Sequence, residues 1–153
     1  KIKNIGSAET PLEVLYHCNI GYPLLSENTV LDIESIKTEP RNEHAKSGLA
    51  DCLKMEKPQC GYEEMCYYHT LKNGRASAYN PDINKRVTIS FNTAELPYFV
   101  EWKMMGEHDY VLGLEPGNCL PDGRNVMREK GLLEFLKPNE EKIHNIEFNF
   151  TEE

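Results

Sequence analysis

No stretch of this chain approaches the ~18 consecutive apolar residues that a membrane-spanning helix requires, so no membrane association is expected. The longest run of adjacent basic residues is the pair Lys85-Arg86, and acidic residues outnumber basic ones 25 to 17, a formal charge of −8. Phosphate backbones recruit clustered positive charge, and this balance excludes a general nucleic-acid binder. Also missing are a CxxC pair, an HExxH motif, a GxSxG elbow, a P-loop and a dinucleotide glycine fingerprint. Those absences leave no metal and no other cofactor to be expected. Residues 1–10 hold no apolar core of the length a signal peptide needs, and the sequence opens on Lys1 in what reads as the middle of a protein. Its five cysteines, Cys18, Cys52, Cys60, Cys66 and Cys119, form an odd set, which points to reduced thiols and a cytoplasmic location.

What is present is period-two patterning. In residues 86–91, Val87, Ile89 and Phe91 alternate with Thr88 and Ser90, the mark of a half-buried strand. Residues 98–104 put Tyr98, Val100, Trp102 and Met104 on one face and Glu101 and Lys103 on the other. Near the end, Ile146, Phe148 and Phe150 alternate with Glu147 and Asn149. Further strands are expected at 13–17, 29–33, 65–70, 75–79, 110–115 and 132–136. Asn73-Gly74 predicts a type I′ hairpin turn, with further breaks at Asn80-Pro81-Asp82 and Asp122-Gly123. Helical signal is limited to a turn around 48–53, and residues 34–61, polar and carrying Pro40 and Pro58, read as a long loop. Many short strands punctuated in this way predict a single all-β domain over residues 1–153, an antiparallel β-sandwich.

Three segments could carry chemistry. The first is GLEPGNCLPDGR at 113–124, in which Glu115 precedes Pro116 at a strand end and is held extended, as suits a positioned general base. A solvated strand-end acid is the plainer reading of the same residue. The second is LYHCNIGYPLL at 15–25, which brings His17, Asn19 and Tyr22 into an apolar stretch; His17 is a candidate proton donor or a satisfied structural histidine. The third is YEEMCYYHT at 62–70, with Glu63, Glu64 and His69 beside three tyrosines. Aromatic faces here and at Trp102 could stack on a sugar ring while carboxylates accept its hydroxyls, although strand periodicity alone also explains Trp102. Nothing in sequence marks Cys18 or Cys119 as an activated nucleophile beyond the neighbouring His17 and Glu115.

These segments resemble a known family. LYHCNIGYPLL (15–25), FNTAELPYFVEW (91–102), EWKMMGEHDYVLGLEPGNCLPDGR (101–124) and GLLEFLKPNEEKI (131–143) occur in consistent order. Together they resemble the C-terminal half of aldose 1-epimerase-like proteins of the galactose mutarotase superfamily, in its DUF4432 branch. The resemblance implies a β-sandwich with a carbohydrate cleft. It also implies a strand-end histidine that protonates the sugar ring oxygen, at His17, and a glutamate that takes the anomeric hydroxyl proton, at Glu115 with Pro121-Asp122 downstream. A substrate-binding acid is implied at Glu64, and His69, Trp102 and Asn19 are expected beside it as sugar-binding residues. The partner implied is a small-molecule sugar. The expected function is a mutarotase-like isomerase, with a non-catalytic carbohydrate-binding module as the rival and a purely structural domain as the third reading. The family's other site histidine and its sugar-binding arginine lie in the N-terminal half. The chain is therefore expected either to self-associate or to need a missing N-terminal half.

Overall fold

Val87 and Ile89 are 4% and 1% exposed, while Thr88 and Ser90 between and beyond them are only partly covered. The segment with the clearest alternation thus folds as its alternation requires. It lies in the sixth of eleven strands that the computed structural model shows among the described residues, 1–152. In chain order these elements are β1 (Ile2–Lys3), β2 (Thr10–Leu12), β3 (Asn19–Ile20), β4 (Val30–Pro40), α1 (Glu43–Ser47), a 3-10 turn (Leu49–Asp51) and β5 (Met65–Asn80). There follow β6 (Lys85–Phe91), β7 (Tyr98–Met105), β8 (Tyr110–Gly117), α2 (Arg124–Glu129), β9 (Glu134–Leu136), β10 (Glu141–Lys142) and β11 (Ile146–Glu152). Among the described residues no helix is long and apolar enough to cross a membrane.

One sheet dominates, in the order β11-β6-β5-β7-β8-β3 with β4 along the other edge of β5, and all its pairings are antiparallel. The second half of β5 pairs with β6 and the first half with β7, so β5 belongs to two layers in turn. Leu31, Ile33, Ala76, Ala78, Val87 and Ile89 from one layer pack against Phe99, Met105, Leu112 and Leu114 from the other in a single core. Burying each large side chain there contributes about 1.5–3 kcal/mol.

The bend of β5 corrects one expectation. Asn73-Gly74 is not a hairpin turn: neither residue has positive φ, and β5 runs through both. The pairing with β4 shifts register on either side of Ser35, and a Cβ on Gly74 would stand 1.9 Å from the Phe91 carbonyl oxygen. Glycine is required here because two backbones meet at a sheet corner. Residues 34–61 are likewise not one loop, since β4 continues to Pro40 and α1 follows, its Asn42 cap accepting from the Ala45 N–H at 2.8 Å. Segment 13–17 forms only a bridge between Leu15 and Gly117: Asn118 N–H donates to Val14 O and Tyr16 N–H to Pro116 O, but Val14 N–H turns to the Asn118 side chain, which interrupts the ladder. Helix α2 carried no signal in the sequence reading.

In β7 the polar face proves to be the deeper one. Glu101 and Lys103 are 0% and 2% exposed, whereas Trp102 and Met104 are only partly covered. Both charges point between the layers, where each finds polar company. Lys103 Nζ donates to the carbonyls of Lys54 at 2.7 Å and Asp51 at 3.3 Å, and Glu101 Oε2 lies 3.0 Å from His69 Nε2.

Candidate functional site

The outward face of the second layer is read directly from its registers. Cys66, Trp102, Gly113 and Asn19 lie in one cross-strand row, and Tyr68, Val100 and Glu115 in the next. Residues directly opposite share a face, so β3, β5, β7 and β8 aim one set of side chains to the same side. Segment 13–18 runs antiparallel beside β8 ahead of β3, tied to it by Tyr16 N–H donating to Pro116 O at 2.9 Å and Leu114 N–H donating to Cys18 O at 2.9 Å, with Leu15 opposite Gly117 and Asn19 opposite Gly113. That register sets His17 opposite Glu115 on the same face.

The two meet. His17 Nε2 stands 3.0 Å from Glu115 Oε1, with the imidazole side chain 49% exposed and the carboxylate side chain 3% exposed. The contact has ion-pair length without hydrogen-bond alignment, and Oε1 is buried with no hydrogen-bond donor of its own. His17 Nδ1 lies 2.7 Å from Asn19 Oδ1; facing an amide oxygen, this nitrogen carries the hydrogen. Nε2 is then the nitrogen that faces Glu115. Burial pushes the Glu115 carboxyl up to about 7; His17 pulls it down and Glu64 adds a further upward push. The Glu115 carboxyl is thereby moved into the range where a general base works.

Gly113 makes this arrangement possible. A Cβ at that position would stand 2.3 Å from Glu115 Oε1 and 3.2 Å from Trp102 Cβ, so only glycine leaves the carboxylate its place. Around the pair, Trp102 packs its ring edge-to-face with His17 at 5.3 Å between centroids and donates its indole N–H to Glu64 Oε2 at 2.7 Å. Beyond the tryptophan, Tyr68 donates its hydroxyl to Asp122 Oδ1 at 2.6 Å, and Lys130 Nζ lies 3.0 Å from Asp122 Oδ2. The Asp122 carboxyl is held below its usual range because the Tyr68 and Lys130 hydrogen bonds outweigh its burial. These bonds fix the loop after β8 against the sheet face.

Of the sequence candidates, His17, Glu115, Glu64, Trp102 and Asn19 are thus gathered in one cluster. His69 is not among them. Strand alternation turns it to the inner face, 4% exposed, with Nδ1 2.7 Å from Ser35 Oγ and Nε2 on Glu101. Arg41, with Nη1 4.0 Å from Glu64 Oε1, also reaches this face, as do Tyr68 and Gly113; for the last two the sequence offers spacing as a signal, since Tyr68 follows Cys66 by two and Gly113 precedes Glu115 by two. Arg41 gave none, because it reaches the face only through the bend of the chain after β4. The cysteines beside the pair are not activated: burial and the Glu115 charge raise the Cys18 thiol, and burial pushes Cys119 up to about 11. Among the described residues no three His, Cys, Asp or Glu side chains converge to hold a metal ion.

An antiparallel, curled β-sandwich carrying such a face is a galactose mutarotase-like fold, and solved structures agree. A crystal structure from Klebsiella pneumoniae titled a "putative aldose 1-epimerase" superposes with a TM-score of 0.83 at 25% identity, over 97% of this chain and 39% of that one. A galactose mutarotase-like protein from Clostridium acetobutylicum gives a TM-score of 0.66 at 20% identity, over 99% of this chain and 51% of its own. The chain belongs to the DUF4432 family, a domain of unknown function whose model matches residues 1–150. It spans about two-fifths to one-half of the length of these structural relatives. No protein of curated function matches it.

Proposed function

We propose that this chain carries the acid–base pair of a mutarotase-like isomerase that interconverts the anomers of a free sugar. The observation behind this reading is the approach of His17 Nε2 to a buried Glu115 carboxylate at 3.0 Å, on a sheet face flanked by an aromatic ring. With Nδ1–H committed to Asn19, Nε2 is the imidazole nitrogen free to act on the sugar. A sugar entering between them separates the half-exposed imidazole from the buried carboxylate. Protonated His17 then gives its Nε2 proton to the ring oxygen while Glu115 takes the proton of the anomeric hydroxyl, and the C1–O5 bond opens. Rotation about C1–C2, reclosure and return of both protons deliver the other anomer. Trp102 supplies a face for the sugar's C–H groups.

An uncharged sugar suits the surroundings better than a phosphorylated one. Among the described residues, Arg41, Arg124 and Lys130 near this face each stand within 4.0 Å of a carboxylate, on Glu64, Glu13 and Asp122 respectively. Polarimetry and NMR exchange on freshly dissolved aldoses test the proposal: the chain should accelerate anomerisation, and Glu115→Gln should lower the rate by about 10²–10⁴-fold. Unchanged acceleration in that variant overturns the assignment.

One observation favours a second reading. At 3.0 Å, His17 and Glu115 leave no gap for a ring, as in a face that binds sugars on Trp102 without opening them. Thermal stabilisation by sugars with no anomerisation would select that carbohydrate-binding module.

A further inference from the structure

Glu64 has the composition of a sugar ligand and the geometry of something else. Its Oε2 accepts the Trp102 indole N–H at 2.7 Å, and its Oε1 faces Arg41 Nη1 at 4.0 Å. Arg41 is itself anchored, its backbone N–H donating to Cys66 O at 3.0 Å and its Nη2 to Pro121 O at 3.3 Å. Both carboxylate oxygens of Glu64 are thus turned toward protein groups. Trp102, fixed at its indole nitrogen, sets its ring against the His17 imidazole at an interplanar angle of 70°. Asn19 holds the far nitrogen of the same imidazole at 2.7 Å.

We infer that Glu64 is a positioning residue for the proton donor rather than a sugar ligand: the chain Arg41–Glu64–Trp102 sets the plane of the His17 ring, and Asn19 sets its tautomer. Half-exposed side chains on short, irregular segments have rotamer freedom that must be removed before they can transfer a proton in a fixed direction. His17 belongs to such a segment, outside any strand. A ring edge on one side and an amide oxygen on the other restrict the ring's rotation, with Nε2 3.0 Å from Glu115 Oε1. The inference rests on the acid–base reading of His17 and Glu115, and its test has a readout that does not need activity.

Trp102 is the sole tryptophan in the chain, so intrinsic indole emission reports this contact alone. A protonated imidazole quenches an indole against which it packs, and the wild-type emission should therefore show a pH step that His17→Gln removes. The step belongs jointly to His17 and the facing Glu115, with Glu64 and Arg41 as the other charges at the indole. Glu64→Ala should at least halve the step and lower the emission anisotropy, whereas Glu64→Gln, which keeps an oxygen for the indole N–H, should retain both. On freshly dissolved α-D-glucose and α-D-galactose, Glu64→Ala should lower kcat roughly 10- to 100-fold, with KM changed less than about 3-fold. In a double-mutant cycle, Glu64→Ala added to Trp102→Phe should cost nothing further. Additive losses, or a KM effect that survives Trp102→Phe, would make Glu64 a sugar ligand and overturn the inference while leaving the isomerase reading intact. An unchanged fluorescence step in Glu64→Ala overturns it even if no sugar is turned over.

Discussion

His17 and Glu115 divide solvent unequally: at 3.0 Å separation, one side chain is 49% exposed and the other 3%. The contact therefore joins a group that solvent can reach to a group that it cannot. Charge on Glu115 is the costly half of the arrangement. Its carboxyl, moved by burial from 4.5 to about 7, keeps a proton in the folded chain at pH values where the unfolded chain has lost it. Between those two values the folded state binds more protons, so its stability falls as pH rises through the window. At about 1.4 kcal/mol per pH unit, the ionised carboxylate costs on the order of 3 kcal/mol above neutrality. Glu115→Gln should therefore be more stable than the wild type above pH 7 and lose that advantage below pH 4.5, by thermal denaturation across pH. Anomerisation by the wild type should rise through an apparent pKa near 7 on its acid side.

Gly113→Ala probes the same carboxylate sterically. The new methyl would stand 2.3 Å from Glu115 Oε1, inside any permitted contact, and must rotate the carboxylate away from His17. Overpacking of this kind costs about 1–3 kcal/mol. The expected result is a folded protein with lower urea midpoint, lost activity and a weakened pH step in Trp102 emission. A variant with wild-type activity would show that the position of Glu115 is not critical.

Glu101 is fully buried, with Oε1 unpaired, Oε2 on His69 and the Lys103 ammonium two residues along the same strand face. Burial raises the Glu101 carboxyl and lowers the Lys103 ammonium, and in each case the attraction of oppositely charged neighbours works against it. Removing one member of such a set leaves the others buried and uncompensated. Glu101→Ala should cost about 3–5 kcal/mol by urea denaturation, and Glu101→Gln, which can still hydrogen-bond His69, markedly less. Equal losses would mean that the cavity rather than the polar network sets the cost.

The β11 edge should govern association. Phe148 and Phe150 are 45% and 73% exposed on this outermost strand, and they border a mainly apolar groove of about 430 Å³ with Ile20, Leu24, Val87 and Ile89, which His17 and Asn19 also line. An unpaired edge with exposed aromatics pairs with its like. We propose that the chain as it stands self-associates through β11, and sedimentation velocity should show a concentration-dependent dimer that Phe148→Lys with Phe150→Lys abolishes. A wild-type monomer at every concentration would contradict this.

The alternation in residues 86–91, 98–104 and 146–150 was enough to place β6, β7 and β11 and to identify an antiparallel β-sandwich, because period two is a local property of an extended chain. The segments around His17 and Glu115 were also legible, through their residue types and their resemblance to a family. Alternation sorts side chains into two faces but does not say which face is inward. Glu101 and Lys103, on the polar face of the alternation, are buried; His69, expected as a sugar-binding residue, is turned inward. Asn73-Gly74 had the chemistry of a turn, yet the close approach of Phe91 made it a corner. The meeting of residues 17, 64, 102 and 115, and the space that Gly113 leaves for it, was settled only by tertiary structure, because strand pairing across long sequence separations decides which side chains become neighbours.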